Sequence, residues 1–298
     1  MKYIIGVDGG GTKVEATAYS MEGTAIKTSI KGFGNLLNNQ EKALKNIVNS
    51  IKEIIEFLPN EELISVYLGI AGSEVGNNSK IIKQAVKEKL NIDCVVMNDS
   101  EIALKAMLKG EDGILVIAGT GSVALGIKGN KTIKCGGWGS LLGDEGSGYK
   151  IAIEAIKRMI LEEEYSMPES TRLAKNIMKK LNIKSVYQIT DFVYSSTKDE
   201  IASLAPIVVK LSEEGDDISI QILLNESIAF ARTTENVYRK LGFESCNIAL
   251  VGGVIRNSII FRTAFENHLR ENTNVKDIID EEVSPTIGAY YMEWGMKE

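Results

Sequence analysis

Two short loops in this sequence combine glycines with hydroxyl side chains. One is Asp8-Gly9-Gly10-Gly11-Thr12-Lys13 and the other is Gly119-Thr120-Gly121-Ser122, and each lies between two apolar segments. Glycines at such places either supply the positive φ angles of a hairpin turn or let an anion reach the backbone without a Cβ in the way. Both explanations are open for the first loop. If the two loops face each other across a cleft, their amides can hold phosphate groups from both sides.

Asp8 ends the first apolar segment and begins the first loop. Mg²⁺ in proteins is usually held by one or two carboxylates together with phosphate oxygens and water. We therefore expect Asp8 to hold Mg²⁺, through water, beside the phosphates.

A third glycine turn, Gly252-Gly253, follows the apolar segment Asn247 to Val251. It is either a simple strand-to-helix turn or a place where the backbone lies close to an adenosine. The residue types alone favour neither explanation.

The segment Met97-Asn98-Asp99-Ser100 lies where an apolar strand ends and a helix begins. We expect Ser100 to be the N-cap of that helix. Asp99 is then either a second capping residue or a carboxylate that orients a hydroxyl and accepts its proton during phosphoryl transfer. The helix dipole favours the ionised form of Asp99, so both roles can coexist.

A longer loop, from Gly136 to Gly148, places six glycines around one tryptophan and two acids. Trp138 is suited to packing on a sugar ring, and Asp144 is suited to accepting hydrogen bonds from hydroxyls. The alternative is a glycine-rich connection with a buried tryptophan.

The elements that position these loops form a duplicated pattern. A three-stranded meander is predicted at Tyr3–Asp8, Lys13–Ser20 and Thr24–Ile30, and a second at Gly113–Ala118, Val123–Ile127 and Lys131–Cys135. Helix, strand, helix, strand and helix follow the first meander, at about Gln40–Phe57, Ser65–Ile70, Lys80–Leu90, Cys94–Met97 and Ser100–Lys109. The second half is predicted to be helical from Tyr149 to about Tyr238, with a sharp break at Pro168.

Composition excludes several classes of protein. The formal net charge is −6 and no basic run is present, so nucleic acid is not an expected partner. No apolar segment reaches membrane length, and the three cysteines, Cys94, Cys135 and Cys246, are too far apart to predict a disulfide framework. We expect a soluble, cytoplasmic protein with no membrane partner.

The glycine loops match neither a P-loop lysine motif nor a Rossmann G-x-G-x-x-G motif. Instead, the quoted motifs resemble the BadF/BadG/BcrA/BcrD ATPase family, and within it the N-acetylglucosamine kinases. The most specific element is the G-G-W-G-x-x-x-G-D-E-G-S loop from Gly136 to Ser147, and the resemblance covers essentially the whole chain.

The resemblance implies an α/β protein with the actin-like (ribonuclease H-like) ATPase fold, in which two duplicated domains surround an ATP cleft. The domains would be residues 1–112 and 113–285, with a last helix at about 286–298 packing back on the first domain. A homodimer is also expected from the family.

The resemblance also implies roles for individual residues. Residues that would bind ATP are Gly10, Gly11, Thr12, Lys13, Thr120, Gly121, Gly252 and Gly253. Residues that would bind the sugar are Asn35, Asp99, Ser122, Gly137, Trp138, Gly139 and Asp144. Asp99 would be the catalytic carboxylate and Asp8 the Mg²⁺ ligand.

The implied reaction is transfer of the γ-phosphoryl group of Mg-ATP to the 6-hydroxyl of an amino sugar. N-acetylglucosamine is the first candidate, and N-acetylmuramic acid is a second. Two alternatives remain: another hexose or glucosamine kinase, and an ATPase that activates a 2-hydroxyacyl-CoA dehydratase or a benzoyl-CoA reductase. The second alternative needs cysteines for an iron-sulfur cluster, and this chain has no close cysteine pair.

Overall fold

The computed structural model describes residues 1–165 and 171–295. The chain forms two compact units. Unit 1 comprises Met1–Leu115 together with the chain from Glu281 onward, and unit 2 comprises Val116–Asp280. The break predicted at Pro168 and the last three residues of the predicted final helix lie outside the described residues.

Each unit contains a five-stranded sheet. The strands are β1 (Lys2–Gly9), β2 (Val14–Ser20), β3 (Ala25–Lys31), β4 (Glu62–Ile70), β5 (Val95–Met97), β6 (Gly113–Ala118), β7 (Ser122–Lys128), β8 (Lys131–Gly136), β9 (Cys246–Val251) and β10 (Val275–Ile279). The strand order is β3-β2-β1-β4-β5 in one sheet and β8-β7-β6-β9-β10 in the other. The two orders are equivalent, so the duplication predicted from the meanders is confirmed at the level of topology.

Helices connect the strands. They are α1 (Gln40–Phe57), α2 (Asn78–Leu90), α3 (Asp99–Met107), α4 (Gly148–Glu164), α5 (Arg172–Leu181), α6 (Ile189–Ser195), α7 (Lys198–Ala202), α8 (Ala205–Glu213), α9 (Asp217–Leu241), α10 (Gly253–Asn257), α11 (Ile259–Asn272) and α12 (Gly288–Trp294). Within the described ranges, none of them is long and apolar enough to cross a lipid bilayer.

The sheet of unit 1 is buried on both faces, which explains the unbroken apolar run in β1. Ile5 and Val7 pack with α1 and α2 on one face. Ile4 points to the other face, where it packs with Ile102 of α3 and Ala289 of α12. In the sheet, β1 pairs antiparallel with β2 and parallel with β4, and β4 pairs parallel with β5. The carboxyl ends of β1, β4 and β5 therefore meet at one edge.

The C-terminal segment of unit 1 lies directly against β1. A Cβ added at Gly6 would lie 1.9 Å from the carbonyl oxygen of Thr286, and one added at Gly288 would lie 2.2 Å from that of Ile102. Tyr19 also hydrogen-bonds Thr286 side chain to side chain, at 2.7 Å. Gly6 is thus required because the returning chain touches the strand backbone, a role that the sequence alone does not reveal.

In unit 2, the long helix α9 packs against α11 and against β7 and β8. Phe230 of α9 and Phe265 of α11 are fully buried, with ring centroids 5.7 Å apart. The helical second half predicted from the sequence is present as α4 to α9. Strand β10, which completes this sheet beside β9, was missed.

Candidate active site

The first glycine loop is a hairpin connection whose glycines are not explained by backbone angles. None of Gly9, Gly10 and Gly11 has a positive φ, so the hairpin explanation of these glycines is wrong. A Cβ at Gly9 would lie 2.6 Å from Ile70, whereas a Cβ at Gly10 or Gly11 would meet open space. Gly9 is therefore needed for packing, and the protein itself gives no steric reason for the other two.

Asp8 lies at the carboxyl end of β1, where it is half-buried. Burial, and then the neighbouring carboxylates of Asp99 and Glu15, raise the pKa of Asp8 to about 6, although Lys13 opposes the shift. A carboxyl group surrounded by like charge gains from a cation placed beside it. The arrangement thus fits a divalent ion held by carboxylate and phosphate oxygens.

Asp99 is brought to the same edge of the sheet by the strand register. Asp8 of β1 pairs with Gly69 of β4, and Gly69 pairs with Met97 of β5, two residues before Asp99. A Cβ at Gly69 would lie 2.1 Å from Ile102 and 3.3 Å from the Cα of Asp99. The missing side chain at Gly69 therefore lets the first turn of α3 lie against β4 and puts Asp99 near Asp8.

The N-cap of α3 is Asn98, and the prediction of Ser100 at this position is wrong. Asn98 has extended backbone angles, and its Oδ1 accepts a hydrogen bond from the Ser100 amide at 3.0 Å. Asp99 is the first helical residue, and its Oδ1 also accepts from that amide, at 2.9 Å. Asn98 in turn donates to Glu74, a residue that the sequence analysis missed, at 2.7 Å. Capping alone therefore does not require an acid at position 99, because Asn98 already does it.

Asn35 is half-buried in the loop that follows β3. The backbone amide of Asn35 donates to the carbonyl of Gly10 at 3.1 Å, and the side-chain Oδ1 of Asn35 accepts from the backbone amide of Leu37 at 2.9 Å. A Cβ at Gly72 would lie 3.3 Å from that oxygen. Asn35 is thus positioned between the first glycine loop and the turn after β4.

Lys13, the residue just before β2, is held by Glu15 of that strand. Its Nζ donates to Glu15 at 2.6 Å, and Ser284 donates to the other carboxylate oxygen of Glu15 at 2.7 Å. Burial alone would raise the pKa of Glu15, but the hydrogen bonds from Lys13 and Ser284 outweigh it and lower the pKa. Glu15 therefore stays ionised and keeps the lysine amine beside the glycine loop. Thr12 is exposed in that loop.

The second glycine loop lies between two cavities of unit 2. A cavity of about 520 Å³ is lined by Gly119 and Thr120 together with Gly253, Val254 and apolar residues of α7 and α8. A cavity of about 370 Å³ is lined by Gly119 and Thr120 together with Gly121, Ser122, Lys134, Gly137, Gly139, Asp144 and Lys198. Because Gly119 and Thr120 line both, the two cavities adjoin at the second glycine loop.

Gly252 and Gly253 are glycines for different reasons. Gly252 has φ +111°, and a Cβ there would lie 2.2 Å from the carbonyl oxygen of Ala118. Gly253 begins α10, and a Cβ there would have its nearest neighbour, Asn257, at 3.7 Å. The turn thus requires the first glycine for its geometry, while the second lines the larger cavity.

The tryptophan loop does not bury its tryptophan. Trp138 is 74% exposed, so the alternative of a buried tryptophan in a glycine-rich connection is wrong. Gly137 and Gly139 both have positive φ angles, and the carbonyl of Gly139 accepts from Gly143 at 2.9 Å. The loop is therefore a hydrogen-bonded turn that exposes the ring of Trp138 on its surface.

Asp144 is the buried end of the same loop. It is 2% exposed, has a left-handed φ of 66°, and forms an ion pair of 2.6 Å with Lys198 of α7. The hydroxyl of Ser122 fixes the following residue by donating to the carbonyl of Glu145 at 2.7 Å. Lys198 was missed because it lies 54 residues further along the chain.

Glu226 of α9 is a second residue that the sequence did not reveal. Its Oε2 accepts from the amide of Gly146 at 2.7 Å. A Cβ at Gly146 would lie 2.6 Å from Phe230, so α9 holds the end of the tryptophan loop by both a hydrogen bond and contact.

The structure thus brings the predicted residues together as two groups. Within unit 1 lie Asp8, Gly10, Gly11, Thr12, Lys13, Asn35 and Asp99. Within unit 2 lie Thr120, Gly121, Ser122, Gly137, Trp138, Gly139, Asp144, Gly252 and Gly253.

Comparison with known proteins gives a consistent result. The model of the BadF/BadG/BcrA/BcrD ATPase family matches residues 5–292. An N-acetylmuramic acid/N-acetylglucosamine kinase of Clostridium acetobutylicum is 31% identical over 300 residues, which covers 97% of both chains. An N-acetyl-D-glucosamine kinase of Dictyostelium discoideum is 27% identical over 314 residues, 99% of this chain and 98% of the relative.

Among solved structures, a candidate N-acetylglucosamine kinase from Chromobacterium violaceum superposes with a TM-score of 0.71 at 18% identity, covering 98% of this chain and 99% of that one. Together with the two equivalent sheets, this match shows the actin-like ATPase fold that the sequence predicted.

Proposed function

The chain belongs to the BadF/BadG/BcrA/BcrD ATPase family, and we propose that it is an ATP-dependent amino-sugar kinase. It transfers the γ-phosphoryl group of ATP to the 6-hydroxyl of an N-acetylated amino sugar, either N-acetylglucosamine or N-acetylmuramic acid. The observation that carries the proposal is the pair of acids at one edge of the unit 1 sheet, Asp8 and Asp99, beside glycines that have open space above them. The names of the curated relatives support the substrate class.

In the proposed reaction, Asp99 accepts a hydrogen bond from the 6-hydroxyl of the sugar and orients its oxygen toward the γ-phosphorus. The bond from that oxygen to phosphorus forms while the bond from phosphorus to the β,γ-bridging oxygen breaks, and ADP leaves. The hydroxyl proton passes to Asp99. The position of Asp99 in the first turn of α3 favours its charged form, which this role requires.

Mg²⁺ is the metal that fits this site, and Asp8 is the residue that would hold it. Bound Mg²⁺ would neutralise charge on the phosphates as the phosphoryl group is transferred. The raised pKa of Asp8 reflects burial and excess negative charge, which an added cation relieves. Glu15 keeps Lys13 near Asp8, so a fixed cation also lies beside the acids of unit 1.

The remaining predicted residues fall into two binding roles. For ATP, we propose that the amides of the two glycine loops and the hydroxyls of Thr12 and Thr120 bind phosphates, and that Gly253 lines the adenosine cavity. For the sugar, we propose the residues Asn35, Ser122, Gly137, Trp138, Gly139 and Asp144. The exposed face of Trp138 supports the sugar role, since a ring that stacks on a pyranose must be accessible.

The dehydratase-activating ATPases are the less favoured alternative. Cys94, Cys135 and Cys246 are far apart in the sequence, and among the described residues no group of three or more His, Cys, Asp or Glu side chains is placed to hold a metal ion. Iron-sulfur clusters are held by thiolates. The homodimer and the cytoplasmic location expected from the sequence stay predictions.

The test is a coupled ADP-release assay over N-acetylglucosamine, N-acetylmuramic acid, glucosamine and glucose, with wild type, Asp99→Asn and a control, Asp93→Asn, whose side chain is 90% exposed. Loss of a general base should lower kcat by about 10²- to 10⁴-fold while sugar binding is retained. Turnover in Asp99→Asn equal to that of wild type would remove Asp99 from the mechanism. Turnover of glucose or glucosamine alone would contradict the N-acetylated substrate.

A further inference from the structure

A lysine outside every predicted motif lies at the second glycine loop. The Nζ of Lys198 is 2.6 Å from Oδ2 of Asp144. A Cβ added at Gly121 would lie 2.7 Å from that Nζ, which means that the amine rests against the backbone of the loop. The side chain of Lys198 is 37% exposed, whereas that of Asp144 is 3% exposed. The buried acid thus anchors an amine that still reaches the cavity of about 370 Å³.

The amine of Lys198 can bind an anionic ligand in addition to the carboxylate of Asp144. An ammonium group has three N–H donors, and the contact with Asp144 uses one of them. Asp144 is 2% exposed and adopts a left-handed φ of 66°, a conformation that residues other than glycine seldom adopt. A backbone held in this way indicates that the position of the carboxylate, and through it that of the amine, is fixed by the fold.

The two cavities decide which part of a nucleotide would reach the amine. Gly253 and Val254 line the larger cavity, proposed above for adenosine, and Gly119 and Thr120 lie between it and the smaller one. Gly121 and Lys198 line only the smaller cavity. Residues proposed above for the sugar, Ser122, Gly137, Gly139 and Asp144, line the smaller cavity too. The distal phosphates of a nucleotide whose nucleoside lies in the larger cavity would therefore meet the acceptor sugar in the smaller cavity, beside Lys198.

We propose that Lys198 binds the distal phosphates of ATP and that Asp144 is the positioning residue that holds its amine over Gly121. This inference rests on the proposed nucleotide site. A cation there would stabilise the negative charge of the transferring phosphoryl group and would help ADP to leave. It also gives Asp144 a role in addition to the hydrogen bond to a sugar hydroxyl predicted for it.

The test measures binding by titration calorimetry with a non-hydrolysable ATP analogue and, separately, with AMP. In Lys198→Met the affinity for the analogue should fall by about 10- to 100-fold, the value of a charge-assisted hydrogen bond, while AMP affinity stays unchanged. Lys198→Arg should keep most of the affinity, since it keeps the charge. The matched control is Lys87→Met, which removes a lysine from an exposed ion pair with Asp93.

A purely structural role would be seen in the double variant Asp144→Asn/Lys198→Met. If Lys198 only neutralises a buried carboxylate, removing both charges restores analogue binding, and the proposal is overturned. If Lys198 binds phosphate, the double variant should bind the analogue as weakly as Lys198→Met does. The double variant leaves no unpaired buried charge, so it can be measured even if Lys198→Met fails to fold. Equal weakening of AMP and analogue would also overturn the proposal. Wild type that binds neither nucleotide would instead refute the proposed function.

Discussion

Two adjacent glycines provide a sharp test of which features serve the fold and which serve the ligand. Gly252→Ala places a methyl group 2.2 Å from the carbonyl oxygen of Ala118 and 2.4 Å from its carbon, both backbone atoms at the end of β6. The backbone angles, φ 111° and ψ 153°, belong to a region that only glycine occupies readily. Gly253→Ala meets neither problem.

The expected cost of Gly252→Ala combines two effects. Backbone strain in this region costs about 1–3 kcal/mol. Relief of the overlap requires β6 and the turn to move apart, which costs a further 1–3 kcal/mol or so. Together these reduce the free energy of unfolding by roughly 2–6 kcal/mol, which corresponds to a drop in Tm of roughly 5–20 °C for a unit of this size.

Gly253→Ala should behave in the opposite way. Its Cβ makes ordinary contact, so Tm should stay close to that of wild type, with a change in unfolding free energy within about 0.5 kcal/mol. Because Gly253 lines the cavity proposed for adenosine, we expect the added methyl group to lower ATP affinity by about tenfold.

The measurements are urea denaturation and thermal unfolding without nucleotide, followed by calorimetric titration with ATP. A Tm of Gly252→Ala within 2 °C or so of wild type would refute the close approach of the turn to Ala118. Equal destabilisation by both substitutions would mean that the pair is only a structural turn.

Two further predictions concern positions that lie outside the motifs. Gly6→Ala forces a methyl group to within 1.9 Å of the Thr286 carbonyl, so we expect a loss of about 3 kcal/mol or more in urea denaturation, with the C-terminal segment becoming accessible to limited proteolysis. Burial raises the pKa of Glu226, so the folded protein favours the neutral carboxyl. The stability that the neutral carboxyl contributes at low pH is therefore lost as the pH rises through the pKa of the folded state. Glu226→Gln should therefore be more stable than wild type at pH 8 and equal to it near pH 4, while Glu226→Ala, which leaves the Gly146 amide without this acceptor, should lose about 1–3 kcal/mol. A stability gap between Glu226→Gln and wild type that does not change with pH would contradict the assigned titration.

The parts of the site that the sequence predicted are those with local signals. The strands on either side of each glycine loop were found to within one or two residues, because alternation and turn residues act over a few positions. The helix after Met97 was also found, but its cap was placed at Ser100 instead of Asn98. Both side chains are good caps, and only the backbone angles of Asn98 decide between them.

The parts that were missed depend on contacts between distant segments. Lys198 meets Asp144 across 54 positions, and Glu226 meets Gly146 across 80. Both come from helices of unit 2 that carry no glycine or acid motif. A lysine or glutamate on an amphipathic helix is ordinarily a solvated surface residue, so its residue type gives no signal until the fold is known.

Charge explains why the site residues of unit 1 and those of unit 2 each need a cation in addition to the glycine loop. In unit 1, burial and then the neighbouring carboxylates of Asp99 and Glu15 raise the pKa of Asp8, and Lys13 offsets only part of the shift. A polyanion such as ATP would be repelled by these acids unless a cation accompanied it, which supports the proposal that Asp8 holds Mg²⁺. The second glycine loop, in unit 2, offers neutral amides and hydroxyls, and the cavity of about 370 Å³ beside it also contains the amines of Lys134 and Lys198. In the proposed function, Mg²⁺ held by Asp8 in unit 1 and the amine of Lys198 in unit 2 therefore supply the positive charge that the phosphates need.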